Sequence, residues 1–172
     1  MKNKKLIVAF LIVFIVQIFL GSMSFALENN IEISAPSAIL IESKTGRILY
    51  EKNSNEKRYP ASTTKILTAI LAIGNCSLTD TLTASNSAIM AIPAGYSNAA
   101  IQPGETLTAQ ELLELLLIHS ANEVGYIFAE HISGNIDSFA TLMNQKALEL
   151  GCKNTHFTNP SGLHDKNHYS TA

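Results

Sequence analysis

Apolar and polar positions change their period along this chain, and each change marks an element. Residues 6–19 are apolar apart from Gln17, a continuous run behind the basic start Met1-Lys2-Asn3-Lys4-Lys5. Two short β-type runs follow, Ala38-Ile39-Leu40-Ile41 and Arg47-Ile48-Leu49-Tyr50. Between them lies Glu42-Ser43-Lys44-Thr45-Gly46, where Gly46 supplies the permissive backbone of a hairpin loop. Residues 51–57 are polar and predicted to be solvated. Residues 59–73 then change character: nearly every position after Lys65 is apolar, with no clean polar face. That pattern predicts a helix buried on all sides. Pro60 and Ser62 suit its first turn and cap region, and Gly74-Asn75 its end.

Residues 77–105 are rich in Ser, Ala, Asn and the turn chemistry of Pro93-Ala94-Gly95 and Pro103-Gly104, so a loop-rich excursion is expected, with one short helix over 85–91. Thr108-Ala109-Gln110-Glu111 is a capping box opening a helix through Ile118. His119-Ser120-Ala121 interrupts the helical pattern. A further helix starts near Asn122, with Val124, Ile127, Phe128 and Ile132 on one stripe, and stops at Gly134-Asn135. The next places Ile136, Phe139, Ala140, Met143 and Ala147 inward and stops at Gly151. The tail from Cys152 is irregular, with turn chemistry at Asn159-Pro160-Ser161-Gly162. One hairpin and four or five helices make a poorly balanced fold, because two strands alone are marginal. The expectation is a fragment of a longer domain.

Composition narrows the class. At 47% hydrophobic and 15% charged, the 172-residue chain is globular in character. The basic start, the apolar run and Ser24-Phe25-Ala26 together read as a signal peptide over residues 1–26, cleaved after Ala26. An uncleaved anchor is disfavoured by the shortness of the run. Residues 27–172 then form the exported part, placed outside the cytoplasm. Of 12 basic residues three leave with the leader, so 9 basic and 14 acidic residues remain, a net charge of −5. That balance gives no support for nucleic-acid binding. Cys76 and Cys152 could pair in that compartment or remain small buried side chains.

Candidate chemistry begins at Ser62-Thr63-Thr64-Lys65. On a helix, side chains three residues apart meet on one face. A lysine drawn into an apolar helix sheds charge through a lowered pKa. A partly neutral Lys65 could take the proton of Ser62, giving a serine nucleophile with a lysine base. S-x-x-K followed by S-x-N and K-T-G is the signature of penicillin-binding proteins and class A β-lactamases. Each piece alone is weak, since about one S-x-x-K is expected by chance in a chain this long. Ser54-Asn55-Glu56-Lys57 repeats the first pattern in a polar stretch, where Lys57 stays hydrated. Ser133-Gly134-Asn135 repeats the second, but there ends one helix and starts the next. Lys44-Thr45-Gly46 spells the third, but precedes the nucleophile in a hairpin tip, where its lysine should face solvent. Ser120-Ala121-Asn122 differs by placing two polar side chains between apolar helices, where they need partners. Asn122 could also simply cap the following helix.

Order and spacing strengthen the signal. Pro60-Ala61-Ser62-Thr63-Thr64-Lys65, the run from Leu115 to Ser120-Ala121-Asn122-Glu123, the run from Phe139 to Ala147, and Asn154-Thr155-His156-Phe157-Thr158-Asn159-Pro160-Ser161-Gly162-Leu163 together resemble the serine-type D-alanyl-D-alanine carboxypeptidases, the low-molecular-mass penicillin-binding proteins. The resemblance implies the α/β (α+β) class and a β-lactamase/transpeptidase-like fold: an antiparallel sheet with helices on both sides and a helical subdomain. Here that fold would be incomplete, with the N-terminal hairpin and helical subdomain present and the C-terminal sheet strands missing. The resemblance implies that Ser62 attacks the penultimate carbonyl of a peptidoglycan stem peptide, with Lys65 as base. Ser120 would relay a proton to the leaving amine, and Asn122 would hold Lys65 and the substrate amide. β-Lactam antibiotics would acylate the same serine. No cofactor is implied, and a membrane surface is a possible further partner of the full-length protein.

Two departures stand out. The family's third motif lies beyond this chain, and no Lys or Arg occurs between Lys65 and Lys146 to bind the substrate's terminal carboxylate. One of two oxyanion-hole donors would be missing with it, a loss of roughly 2.7–4 kcal/mol in known cases. The chain as given is therefore expected to be nearly inactive and the full-length protein active. The second departure is Glu123, where many relatives have aspartate. Three other functions compete. A class A β-lactamase needs a glutamate with asparagine four residues on, which the sequence downstream of Ser120 does not offer. A zinc peptidase could draw on His156, His164, Asp165 and His168, although surface histidines account for them more simply. A catalytically dead wall-binding domain would form no adduct with penicillin.

Overall fold

The computed structural model describes residues 32–172, of which residues 35–172 form one compact unit. The signal peptide expected over residues 1–26 lies outside the described residues. Strands β1 (Ala38–Ile41) and β2 (Ile48–Lys52) pair antiparallel as the expected hairpin, with a register shift between Leu40 and Ile41. Its loop is tied by Glu42, whose carboxylate accepts the backbone N–H groups of Lys44 at 3.0 Å and Thr45 at 2.8 Å, while Gly46 takes φ +71°. The local K-T-G is thus a turn, and Lys44 is exposed. The stretch after it is less uniformly solvated than its polarity predicts. Ser54 is buried against the Glu51 carboxylate, while Lys57 is exposed with its ammonium over the Tyr169 ring.

A 3-10 turn (Ala61–Thr63) leads into helix α1 (Thr64–Asn75). This helix buries Thr64, Lys65, Leu67, Thr68, Ala69, Leu71 and Ala72. The expectation that it is buried on all sides is corrected: Ile66, Ile70 and Ile73 are 58%, 42% and 61% exposed. They recur at i, i+4 and i+7 and form one stripe. Apolar residues all round a helix show that water is disfavoured there, but they do not themselves supply a cover for every side.

The loop-rich stretch holds more order than its composition predicts. Strands β3 (Thr81–Thr83) and β4 (Thr106–Thr108) pair antiparallel through Leu82 and Leu107. Three residues each are too few to show a period of two. Between them helix α2 (Asn86–Met90) is capped by Ser85, which accepts the N–H of Ala88. Helix α3 (Ala109–Ile118) opens with the expected capping box between Thr108 and Glu111. Helix α4 (Asn122–Ser133) follows, and every residue from Asn122 to Ala129 is buried. Gly134 ends it at φ +78°, and Asn135 caps helix α5 (Ile136–Glu149) through the Ser138 N–H. Ser133-Gly134-Asn135 is therefore a helix joint.

Helix α4 divides the core. Val124, Ile127 and Phe128 pack with Leu82, Leu112 and Leu116, whereas Ala129 joins Phe139, Met143, Leu67 and Leu71. The irregular tail turns back on itself: His156 bridges to Tyr169, and Arg58 to Ser170 beside the turn at the head of α1. Both cysteines are free: Cys76 is half-buried against the core, close to the small packed side chain that the sequence allowed, whereas Cys152 is exposed. Among the described residues no helix is long and apolar enough to cross a membrane.

Candidate active site

The head of α1, the break between α3 and α4, and the tail loop meet at one point. Ser62 stands in the 3-10 turn, exposed, with its Oγ 3.1 Å from Nζ of Lys65. The serine is not a helix cap; no side-chain cap is made at either start. One turn deeper, Lys65 is only 2% exposed. Its ammonium donates to Oδ1 of Asn122 at 2.7 Å and to the backbone oxygen of Ser161 at 2.9 Å, besides Ser62. Burial pulls the Lys65 pKa down from 10.5 to about 8, partly opposed by the Glu123 charge. Ser120 approaches from the other side and donates to Ser62 Oγ at 3.0 Å. The structure thus brings together Ser62, Lys65, Ser120 and Asn122.

Two non-glycine residues at this point hold left-handed backbone, Ala61 at φ +47° and Ser120 at φ +55°. Such conformations cost about 1–3 kcal/mol each and persist where the surroundings enforce them. Here the enforcing contacts are visible. Ser97 accepts both the backbone N–H (3.1 Å) and the Nδ2 (2.8 Å) of Asn122 on its carbonyl, and its hydroxyl donates to the His119 carbonyl at 2.9 Å. One residue therefore clamps both sides of Ser120. Asn122 is not the N-cap of α4, a position held by Ala121; its side chain is spent on Lys65 and Ser97.

The tail loop is built as closely. Asn159 Oδ1 accepts the N–H groups of Gly162 at 2.8 Å and Leu163 at 3.1 Å, folding residues 159–163 into a tight turn. Pro160 then offers its carbonyl to Thr68 at 2.6 Å, and Ser161 its carbonyl to Lys65. Gly162, at φ +85°, lies so close to the turn that carries Ser62 that a Cβ there would stand 1.9 Å from the Ala61 carbonyl oxygen.

Sequence reasoning found the four polar side chains but missed Ser97, the Ser161 carbonyl and Thr68. The turn at 159–162 was a visible signal for one of these contacts; Ser97 had none, because its role is exercised largely through backbone. Glu123, noted only as a departure from aspartate, is 2% exposed; one oxygen accepts the Ala99 N–H, and the other has no hydrogen-bond partner among the described residues. His168 is no surface histidine: it is 2% exposed and bonded to Thr64. No cluster of three or more metal-ligating side chains occurs among the described residues.

Comparison with known proteins gives the family. The peptidase family described as D-alanyl-D-alanine carboxypeptidase matches residues 23–172. The chain is 44% identical over 143 residues to the D-alanyl-D-alanine carboxypeptidase DacF of Bacillus subtilis, covering 80% of this chain and 36% of that protein. Crystal structures of DacD from Francisella tularensis and of penicillin binding protein 5 from Haemophilus influenzae superpose with TM-scores of 0.76, at 36% and 33% identity. They are covered over 35% and 42% of their lengths, against 83% and 82% of this chain. The chain thus spans less than half of each of these three relatives, and its mix of helix and strand is part of a transpeptidase/β-lactamase-like fold. Taken with the serine and lysine at the head of α1, this shows that the chain belongs to the D-alanyl-D-alanine carboxypeptidase family.

Proposed function

We propose that the protein to which this chain belongs is a serine D-Ala-D-Ala carboxypeptidase that trims peptidoglycan stem peptides outside the cytoplasm, after removal of residues 1–26. The observation that carries the reading is the set of acceptors around Lys65. As an ammonium, Lys65 spends its three N–H donors on Ser62, Asn122 and Ser161. Two of these partners are carbonyl oxygens that can only accept. When the amine loses a proton, its two remaining N–H bonds stay on them and the lone pair faces Ser62. The hydroxyl of Ser62 then donates to Lys65 while still accepting from Ser120, and a chain of donors runs Ser120 to Ser62 to Lys65.

The reaction follows from that chain. As Oγ of Ser62 bonds to the penultimate D-alanine carbonyl carbon, its proton passes to Nζ of Lys65. That proton passes on from Lys65 to the leaving amine through the Ser120 hydroxyl, the C–N bond breaks, and the terminal D-alanine departs. Water attacks the resulting ester as Lys65 accepts its proton; the ester C–O bond then breaks and Lys65 returns the proton to Ser62 Oγ. Asn122 fixes the base and leaves its neighbourhood polar enough to meet a substrate amide. A β-lactam carries the same kind of acylable amide and would acylate Ser62.

The test is covalent labelling of the whole protein with a fluorescent penicillin, alongside D-alanine release from a tripeptide ending in D-Ala-D-Ala. Labelling and release that both vanish in Ser62→Ala support the reading. A protein that neither labels nor releases D-alanine refutes it. Fast penicillin turnover without D-alanine release would instead identify a β-lactamase.

A further inference from the structure

Against the first residue of α1 lies a buried imidazole that the mechanism does not use. His168 Nε2 is 2.9 Å from Oγ1 of Thr64, the first residue of α1 and the neighbour of Lys65. Its Nδ1 is 3.1 Å from the backbone nitrogen of Thr158. A backbone N–H can only donate, so Nδ1 carries no proton, and Nε2–H donates to Thr64. The ring is neutral and of one tautomer, held edge-on to Phe157 with centroids 5.4 Å apart. It joins two pieces of the site. Thr158 begins the loop whose Pro160 and Ser161 carbonyls grip Thr68 and Lys65, and Thr64 belongs to the turn that carries Ser62.

We propose that neutral His168 is a positioning residue for Lys65, pinning the loop of residues 158–163 to the head of α1, and that its protonation releases the pin. A second ring N–H would face the Thr158 N–H, donor against donor, so that bond would be lost and only the Thr158 hydroxyl, 3.3 Å from Nδ1, would remain to accept from it. The charge would also sit at the positive end of the α1 dipole. Burial and the nearby His156 oppose the charge, against a weaker pull from Asp165 on the same tail segment, so His168 titrates below 6.5. From α1 it meets the uncharged Thr64 hydroxyl. On the segment paired with Ser170, Lys57 turns its charge to the Tyr169 ring and Arg58 to Glu56 and Ser37. No carboxylate other than Asp165 favours the imidazolium in these contacts.

The pin is independent of the enzymatic reading, whereas its effect on rate rests on that reading, and the test separates them. In the whole protein with 15N-labelled histidine, NMR should show His168 with Nδ1 unprotonated near pH 7.5. Its ring and the Thr158 amide should titrate together, below pH 6.5. A protonated Nδ1, or a ring that titrates while the Thr158 amide stays fixed, would overturn the pin. For the rate, penicillin acylation should fall once below pH 8 as Lys65 gains its proton and more steeply where His168 does. His168→Phe, which removes donor and acceptor together, should slow acylation about tenfold to a hundredfold, as displacement of a reacting group does. Glutamine offers an amide NH2 donor and a carbonyl acceptor and does not titrate, so His168→Gln should restore most of the rate and lose the steeper acid limb. Identical pH profiles in the wild type and His168→Gln would overturn the effect on rate. A wild type that never acylates but titrates as described would sink the enzymatic reading and leave the pin standing.

Discussion

Lys65 answers two opposed demands. To accept a proton near neutral pH, as the proposed base must, it has to be short of water, yet a buried amine needs partners for every N–H. Asn122, Ser161 and Ser62 supply the partners without supplying a counter-charge in contact, so burial prevails and the pKa falls to about 8. Glu123 works in the other direction, holding the lysine's charge in place from a distance. Glu123→Gln removes that pull while an amide oxygen can still meet the Ala99 N–H. The Lys65 pKa should then drop further, and the acid limb of penicillin acylation should move to lower pH; a limb that moves up or stays fixed would refute the assignment. Stability has its own sign through His168, which is neutral in the folded chain and ordinary in the unfolded one. Above pH 6.5 both states are neutral and nothing is lost. As pH falls through 6.5 the unfolded chain takes up a proton that the fold refuses, so the urea midpoint should decline, and less steeply in His168→Gln.

The elements around the site were legible in proportion to their length and their chemistry. The helices α3, α4 and α5 announce themselves by caps, stripes and a stopping glycine, and the capping box at Thr108 is visible in four letters. Thr108→Ala should cost about 1 kcal/mol of stability in urea unfolding. Strands β3 and β4 escaped because Thr-Leu-Thr says little until its partner is known. The tail loop was read as a turn, but what that turn presses against is a tertiary fact no local pattern encodes. Gly162→Ala tests it. The substitution meets both a φ of +85° and a carbonyl 1.9 Å away, so it should cost about 3 kcal/mol or more and spoil acylation at the same time. Gly46→Ala is the control: its φ is +71°, but nothing lies within 4 Å, so only the backbone strain remains and acylation should persist.

At the scale of the molecule, the same chain is tightly built at one end and open at the other. Helix α4 is buried from Asn122 to Ala129 and separates two apolar clusters. The hairpin is the opposite case: Ile39, Leu40, Ile41, Ile48 and Leu49 are 39–54% exposed, although alternate residues of a strand point to opposite faces. Neither face of β1 and β2 is therefore covered among the described residues, and a bare two-stranded hairpin is marginal in water. The exposed stripe Ile66, Ile70 and Ile73 on α1 adds further apolar surface. The missing sheet partners of the hairpin are expected from the sequence, whereas the bare stripe of α1 is not, because burial is a property of a partner as well as of a side chain. Hydrogen exchange on the 172-residue chain should measure the contrast. Amides of β1 and β2 should exchange much faster than those of α4, whose opening requires the core itself to part. The whole protein offers the complementary reading: slowed exchange along the hairpin and the outer stripe of α1 would mean that these faces are buried there. Equal protection of the hairpin and α4 in the chain alone would show that the hairpin holds without a cover, and this account of its marginal stability would be wrong.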